Sequence, residues 1–172
     1  MSSPHDTLNL PQSLGNGLVP RLATPDDTDV LAEFNTLIHL EEDEPRDFLR
    51  IWTRVLMSGD HPTTSAADFV VVENTEEHKI VSATCLIPQV WTYDGIDFQV
   101  GRPELVGTDP AYRRQGLTRK IFDAIHALSA AYGHQVQGIT GISWFYRQFG
   151  YEYALDLGGR RDLPVANVPG LK

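Results

Sequence analysis

Between Val106 and Leu128 the chain changes its hydrophobic period within a few residues, and that change dictates a strand–loop–helix unit. The segment V-G-T-D-P-A-Y-R-R-Q-G-L-T starts extended and apolar, turns at Asp109-Pro110, and passes through Arg113, Arg114, Gln115 and Gly116. Leu117, Ile121, Ile125 and Leu128 then recur at helical spacing. The first turn of a helix has N–H groups without intrahelical partners, and its dipole favours an anion. Gly116 has no Cβ, so the backbone there can approach a ligand. Arg113, Arg114, Arg119 and Lys120 add positive charge around the same point. The unit reads as a phosphate site, although a glycine beside a solvated basic face is compatible with the same residues. Neither the G-x-x-x-x-G-K-S/T nor the G-x-G-x-x-G spacing is present.

The rest of the chain suits one enzyme-sized domain. Its 172 residues are enough for a sizeable core, and its 41% apolar content is ordinary for a globular protein. A net charge of −9 argues against nucleic acid as a partner and is compatible with steering a cationic substrate. No apolar run is long enough to span a membrane, and the first residues lack signal-peptide features. With Cys85 as the single cysteine there is no internal disulfide, and the cytoplasm is the expected compartment. Cys85 lies in an apolar extended run, which suits a buried thiol better than a nucleophile. The histidines, His126 and His134 among them, show no metal-ligand spacing, so no metal is expected.

Residues 1–17 read as a flexible arm and Leu18 to Leu22 as a first strand. Thr24-Pro25-Asp26-Asp27 starts a helix whose apolar stripe is Val30, Leu31, Phe34, Leu37 and Ile38. Glu41-Glu42-Asp43-Glu44-Pro45 breaks it, and Phe48, Leu49, Ile51, Trp52, Val55 and Leu56 give a second helix its buried face. Strands follow at Phe69 to Val72, at Ile80 to Val90 with an interruption at Pro88, and at Phe98 to Thr108. Asp94-Gly95 is the hairpin turn between the last two. After the helix come a strand at Gln135 to Thr140, a short helix at Trp144, and a final strand at Glu152 to Leu155.

The segment P-A-Y-R-R-Q-G-L-T resembles the acetyl-CoA signature R/Q-x-x-G-x-G/A of the GNAT acetyltransferase superfamily. Arg113, Gly116 and Thr118 fall on its marked positions, with Thr118 replacing the usual Gly or Ala. Paired arginines before G-L look like the branch containing enhanced-intracellular-survival-type acetyltransferases. A second segment, S-W-F-Y-R-Q-F-G-Y, resembles the later motif Y-x-x-x-G-F, with Tyr146, Gly150 and Tyr151 on the marked positions.

The resemblance implies an α/β (α+β) GNAT fold over residues 18–157, its central sheet mixed but mostly antiparallel and flanked by helices. It implies acetyl-CoA as co-substrate and transfer of the acetyl group to a small-molecule or peptidyl primary amine by direct attack. The pyrophosphate falls to Arg113, Arg114, Gln115, Gly116, Leu117 and Thr118. The acetyl carbonyl and pantetheine arm fall to Leu105, Val106, Gly107 and Thr108, where a mid-strand glycine suits a bulge or close approach. Tyr146 takes the role of general acid to the leaving thiolate, although Trp144, Phe145 and Phe149 around it also suit an aromatic core. Glu104, just upstream of the coenzyme segment, is the candidate base acting through water, and its side chain suits a solvent-facing position as well.

The run Glu41 to Glu44 is compatible with a cationic-amine subsite or a solvated helix end. Residues 158–172 read as a tail or linker, which suits a single-domain variant or a piece of a longer protein. A homodimer is compatible with such a fold. The alternative reading is a non-catalytic acyl-CoA-binding module used in regulation or assembly.

Overall fold

The computed structural model describes residues 3–39 and 46–154. The chain divides at Ile139/Thr140 into two compact units. The larger is built on a five-stranded sheet of sequential order: β1 (Leu18–Leu22), β2 (Phe69–Asn74), β3 (Lys79–Tyr93), β4 (Ile96–Thr108) and β5 (Val136–Gln137). The first four pair antiparallel, and β4 pairs β5 parallel. This is the mixed, mostly antiparallel α/β arrangement expected.

Three helices complete this unit: α1 (Thr28–Ile38), α2 (Asp47–Met57) and α3 (Leu117–Ala131). Thr24 caps the turn before α1, its N–H and hydroxyl both donating to Asp27 at 2.7 and 3.1 Å. Arg21 grips Asp27 through two 2.8 Å bonds and Glu73 through a third at 2.7 Å, tying that helix start to β1 and β2. Leu31, Leu49, Leu56 and Met57 join Phe69, Val71, Ala83, Cys85, Ile87 and Leu105 in one buried cluster. On α3, Ile121, Phe122, Ile125 and Leu128 are buried, and the helix packs on β2, β3 and β4.

The longest pairing joins β3 and β4, closed by Asp94 and Gly95 at φ 49° and 76°. Positive φ at both residues gives the primed turn whose twist matches the strands. Pro88 does not interrupt β3, which runs on to Tyr93. The β2 register ends at Cys85, so no β2 ladder bond needs a Pro88 N–H.

Near the N-terminus, Pro4–Thr7 forms a 3-10 turn capped by Ser3, and His5 Nε2 lies 3.1 Å from Asp68 Oδ1 and 3.2 Å from the Tyr132 hydroxyl. Other expectations are corrected. Val30 and Leu37 of α1, and Phe48, Ile51 and Val55 of α2, are exposed, because each helix turns only Leu31, Ala32, Leu49, Leu56 and their neighbours to the sheet. The strand expected at Gln135 to Thr140 shrinks to Val136–Gln137.

In the smaller unit, α4 (Ser143–Tyr146) runs into a 3-10 turn at Arg147–Phe149, ended by Gly150 at φ 91°. Glu152–Ala154 carry no strand, contrary to the expected final strand, and Leu155 lies outside the described residues. The acidic run at Glu41 to Glu44 and the tail at residues 158–172 also lie outside them.

Candidate active site

A bulge interrupts β4 two residues before its end is reached at Thr108. Ala83 pairs Gly107 and Cys85 pairs Glu104, so Thr84 opposes both Leu105 and Val106. Leu105 takes φ 55°, a left-handed conformation that a branched side chain adopts only when its surroundings hold it there. The extra residue reverses the alternation of the strand. A Cβ on Gly101 would meet Ser129 and His134 on the α3 side, while one on Gly107 would lie 2.6 Å from Ile38 Cγ2 of α1. Gly107 therefore lets the end of α1 close onto the strand.

Partners from across the sheet hold this shape. The Ser82 hydroxyl donates to the Gly107 carbonyl at 3.0 Å, and the Thr84 hydroxyl donates to the Glu104 carbonyl at 3.0 Å. His39, just beyond α1, places Nε2 3.2 Å from the Val106 carbonyl and Nδ1 3.0 Å from the Asn35 carbonyl. On its other edge, β4 is in register with β5 only at Val100 and Gly101. Among the described residues, Arg102 to Thr108 have no strand partner on that side, which leaves backbone groups of Leu105, Val106, Gly107 and Thr108 available to a ligand.

Beyond Thr108 the loop is anchored by its own side chains. Asp109 accepts from the Ala111 N–H at 2.9 Å and pairs with Lys79, which holds the Asp109 carboxyl below its ordinary value. The Tyr112 hydroxyl donates to Glu77 at 2.7 Å and accepts from the Asn74 amide at 3.0 Å. Arg113 is extended, Arg114 is left-handed at φ 62°, and Gly116 is left-handed at φ 77° as the N-cap of α3. Nothing lies within 4 Å of a Cβ built on Gly116, so its conformation, rather than a crowded backbone, requires glycine. The N-terminus of α3 is open at this point, and a helix start of this kind favours an anion. Thr118 closes a hydroxyl chain, with Thr108 at 3.2 Å and Ser82 2.8 Å further on. A threonine thus replaces the small residue of the signature by tying strand to helix.

Glu104 points to the face that carries α1 and α2, as does Cys85, its partner across the strands. It is half-buried and ion-paired to Arg102. Burial pushes its carboxyl above the ordinary value, and the Arg102 guanidinium pulls against that. Cys85 is fully buried and its thiol is pushed well up by burial, as suits a structural residue. In the smaller unit, Tyr146 is half-buried, its ring edge-on to Phe145 at 5.2 Å and to Tyr151 at 6.3 Å. Burial pushes the Tyr151 phenol up.

The sequence reading missed Arg102 and His39. A period of two on β4 places Arg102 beside Glu104 and contains the signal. For His39 no local signal exists, because its partner carbonyl lies 67 residues away.

The family model of the acetyltransferase (GNAT) domain matches residues 20–154. The chain belongs to this family and is an acyltransferase by that membership. No curated protein matches its sequence. Solved structures share its fold. An acetyltransferase from Trypanosoma brucei is 23% identical with a TM-score of 0.59, covering 85% of this chain and 99% of its own. A GCN5-related N-acetyltransferase from Ralstonia eutropha JMP134 is 15% identical with a TM-score of 0.63, covering 87% and 99%. A predicted acetyltransferase from Clostridium acetobutylicum, solved with acetyl-CoA, is 14% identical with a TM-score of 0.60, covering 88% and 99%. Among the described residues, no helix is long and apolar enough to cross a membrane.

Proposed function

We propose that the domain transfers an acetyl group from acetyl-CoA to a primary amine by direct attack. The observation that carries this reading is a half-buried carboxylate, Glu104, immediately before a bulge on the strand that feeds the glycine-capped start of α3. The coenzyme supplies the acetyl group as an activated thioester. Arg113, Arg114, Gln115, Gly116, Leu117 and Thr118 hold its pyrophosphate through N–H groups and positive charge. Backbone N–H groups from Leu105 to Thr108 stabilise negative charge that develops on the acyl oxygen. Glu104, directly or through one water, takes the proton that the amine must lose as the new C–N bond forms and the C–S bond breaks. The sequence motif assigns Tyr146 the return of a proton to the sulfur. The cytoplasm, where acetyl-CoA and small amines meet, is the fitting compartment.

Glu104→Gln tests the reading with an acetyl-CoA and amine panel. The expected outcome is a fall in kcat of about 10²–10⁴-fold with coenzyme affinity unchanged. Equal turnover in the two proteins removes Glu104 from the reaction. Coenzyme binding by the unaltered protein with no product from any amine favours a non-catalytic acyl-CoA-binding module instead.

A further inference from the structure

Arg102 and Glu104 share one face of β4 and form an ion pair at its half-buried end, with side-chain exposures of 30% and 15%. Among the described residues, the only group the guanidinium meets is the Glu104 carboxylate, through Nη2 alone. A guanidinium carries five N–H donors in a rigid fork, so among the described residues most of this fork has no acceptor. The bulge of Leu105 and Val106 follows at once, so the pair stands immediately before the segment read above as meeting the acetyl group.

We propose that Arg102 binds an anionic group of the acceptor, so that the substrate is an amine carrying a carboxylate or phosphate a few bonds from its nitrogen. This rests on the reading of Glu104 as base. A simple cationic amine approaching Glu104 meets the Arg102 charge at contact distance. When it captures the carboxylate, it leaves a half-buried guanidinium without a counter-ion, which is costly. An acceptor bearing both charges exchanges one internal ion pair for two external ones and strands neither partner. Its anion also matches the fork, because carboxylate and phosphate oxygens accept two parallel N–H bonds. Once Arg102 is neutralised, its pull on Glu104 weakens and the carboxylate becomes a stronger base. Binding of the correct acceptor thus readies the group that deprotonates it.

The test compares matched acceptors: amino acids against their amides, and phosphate-bearing amines against their dephosphorylated forms. The unaltered protein should favour the anionic member by about tenfold or more in kcat/KM. Arg102→Gln should abolish that preference, and Arg102→Lys should restore part of it. The stronger of the two pairs identifies the anion. Equal kcat/KM within both pairs, or an equal loss for both members in Arg102→Gln, overturns the proposal and leaves Arg102 as a structural counter-ion. If Glu104→Gln keeps full turnover while the anionic preference persists, the base reading fails and Arg102 stands. A readout that needs no turnover is titration of acetate or inorganic phosphate into the coenzyme A-bound protein, followed by the NMR signal of the Arg102 Nε–H. A saturable shift, absent in Arg102→Gln, supports the proposal, and an unmoved signal overturns it.

Discussion

The loop from Asp109 to Thr118 and the bulged end of β4 adjoin along the chain, yet different forces shape them. From Asp109 to Thr118, shape comes from close neighbours: the Asp109 cap on Ala111, Pro110 at the turn, and Arg114 and Gly116 at positive φ. Of its outside anchors, Lys79 and Glu77 are exposed and Asn74 is buried. The bulge is held by Ser82, Thr84, Ile38 and His39, which reach it from β3 and α1. Anion recognition by backbone N–H groups needs little beyond local geometry. Proton transfer needs a side chain whose burial comes from distant elements, even where its charge partner, as for Glu104 and Arg102, sits two residues away on the same strand.

That contrast breaks most sharply at Gly116. Gly116→Glu should lower acetyl-CoA affinity by about 100-fold or more, because it strains φ 77° and sets a negative charge against the pyrophosphate. Calorimetric titration with acetyl-CoA measures this, and unchanged affinity would remove the loop as the coenzyme site. Gly107 probes the other region. Gly107→Val should destabilise the fold by about 1–3 kcal/mol, since even its Cβ would lie 2.6 Å from Ile38 Cγ2. A denaturant melt checks it, and an unchanged midpoint would mean that α1 can retreat from the strand.

The pH profile sharpens the comparison further. Burial raises the Glu104 carboxyl, so kcat/KM should fall with an acid limb above the ordinary glutamate value of about 4.3. The sign is fixed by the base needing to be ionised: activity is present above the limb and lost as pH drops through it. For stability the sign reverses, since a raised folded pKa favours the protonated fold at low pH and that contribution is lost as pH rises. Kinetics from pH 4 to 9 would show the limb, and a flat profile would argue that no carboxyl of this kind participates.

The smallest effect belongs to the loop's exposed anchor. Lys79→Met should cost under about 1 kcal/mol, because the Lys79 side chain of the pair is exposed and screened by water. The Asp109 carboxyl is held low by Lys79, so this contribution is present above the ordinary aspartate value and is lost as pH falls through the lowered one. The difference between the melts of the two proteins should shrink as pH is lowered from 7 toward 2. A difference that stays constant over that range would assign Lys79 another role, such as its contact with the Tyr112 ring.

What could be read from the chain follows the same division. The strand, turn and helix from Val106 to Leu128 were legible because period, Pro110 and Gly116 act over a few residues. The Asp94-Gly95 hairpin was legible for the same reason. Apolar residues on α1 and α2 were overcounted as buried. Sequence spacing shows a stripe, but only the sheet beneath it decides that Phe48, Ile51 and Val55 face outward. Gly107 signalled irregularity, while the bulge itself depends on β3 partners and on Ile38.

By itself, then, the sequence determined the order of elements from β1 to α4 and the strand–turn–helix geometry around Gly116, because backbone conformation answers to near neighbours. Tertiary structure alone decided that Glu104 is half-buried and that His39 reaches the bulge carbonyl, whereas the placing of Arg102 beside Glu104 follows from the strand period. Burial arises when segments far apart in the chain exclude water from the same spot, and no local pattern encodes that exclusion.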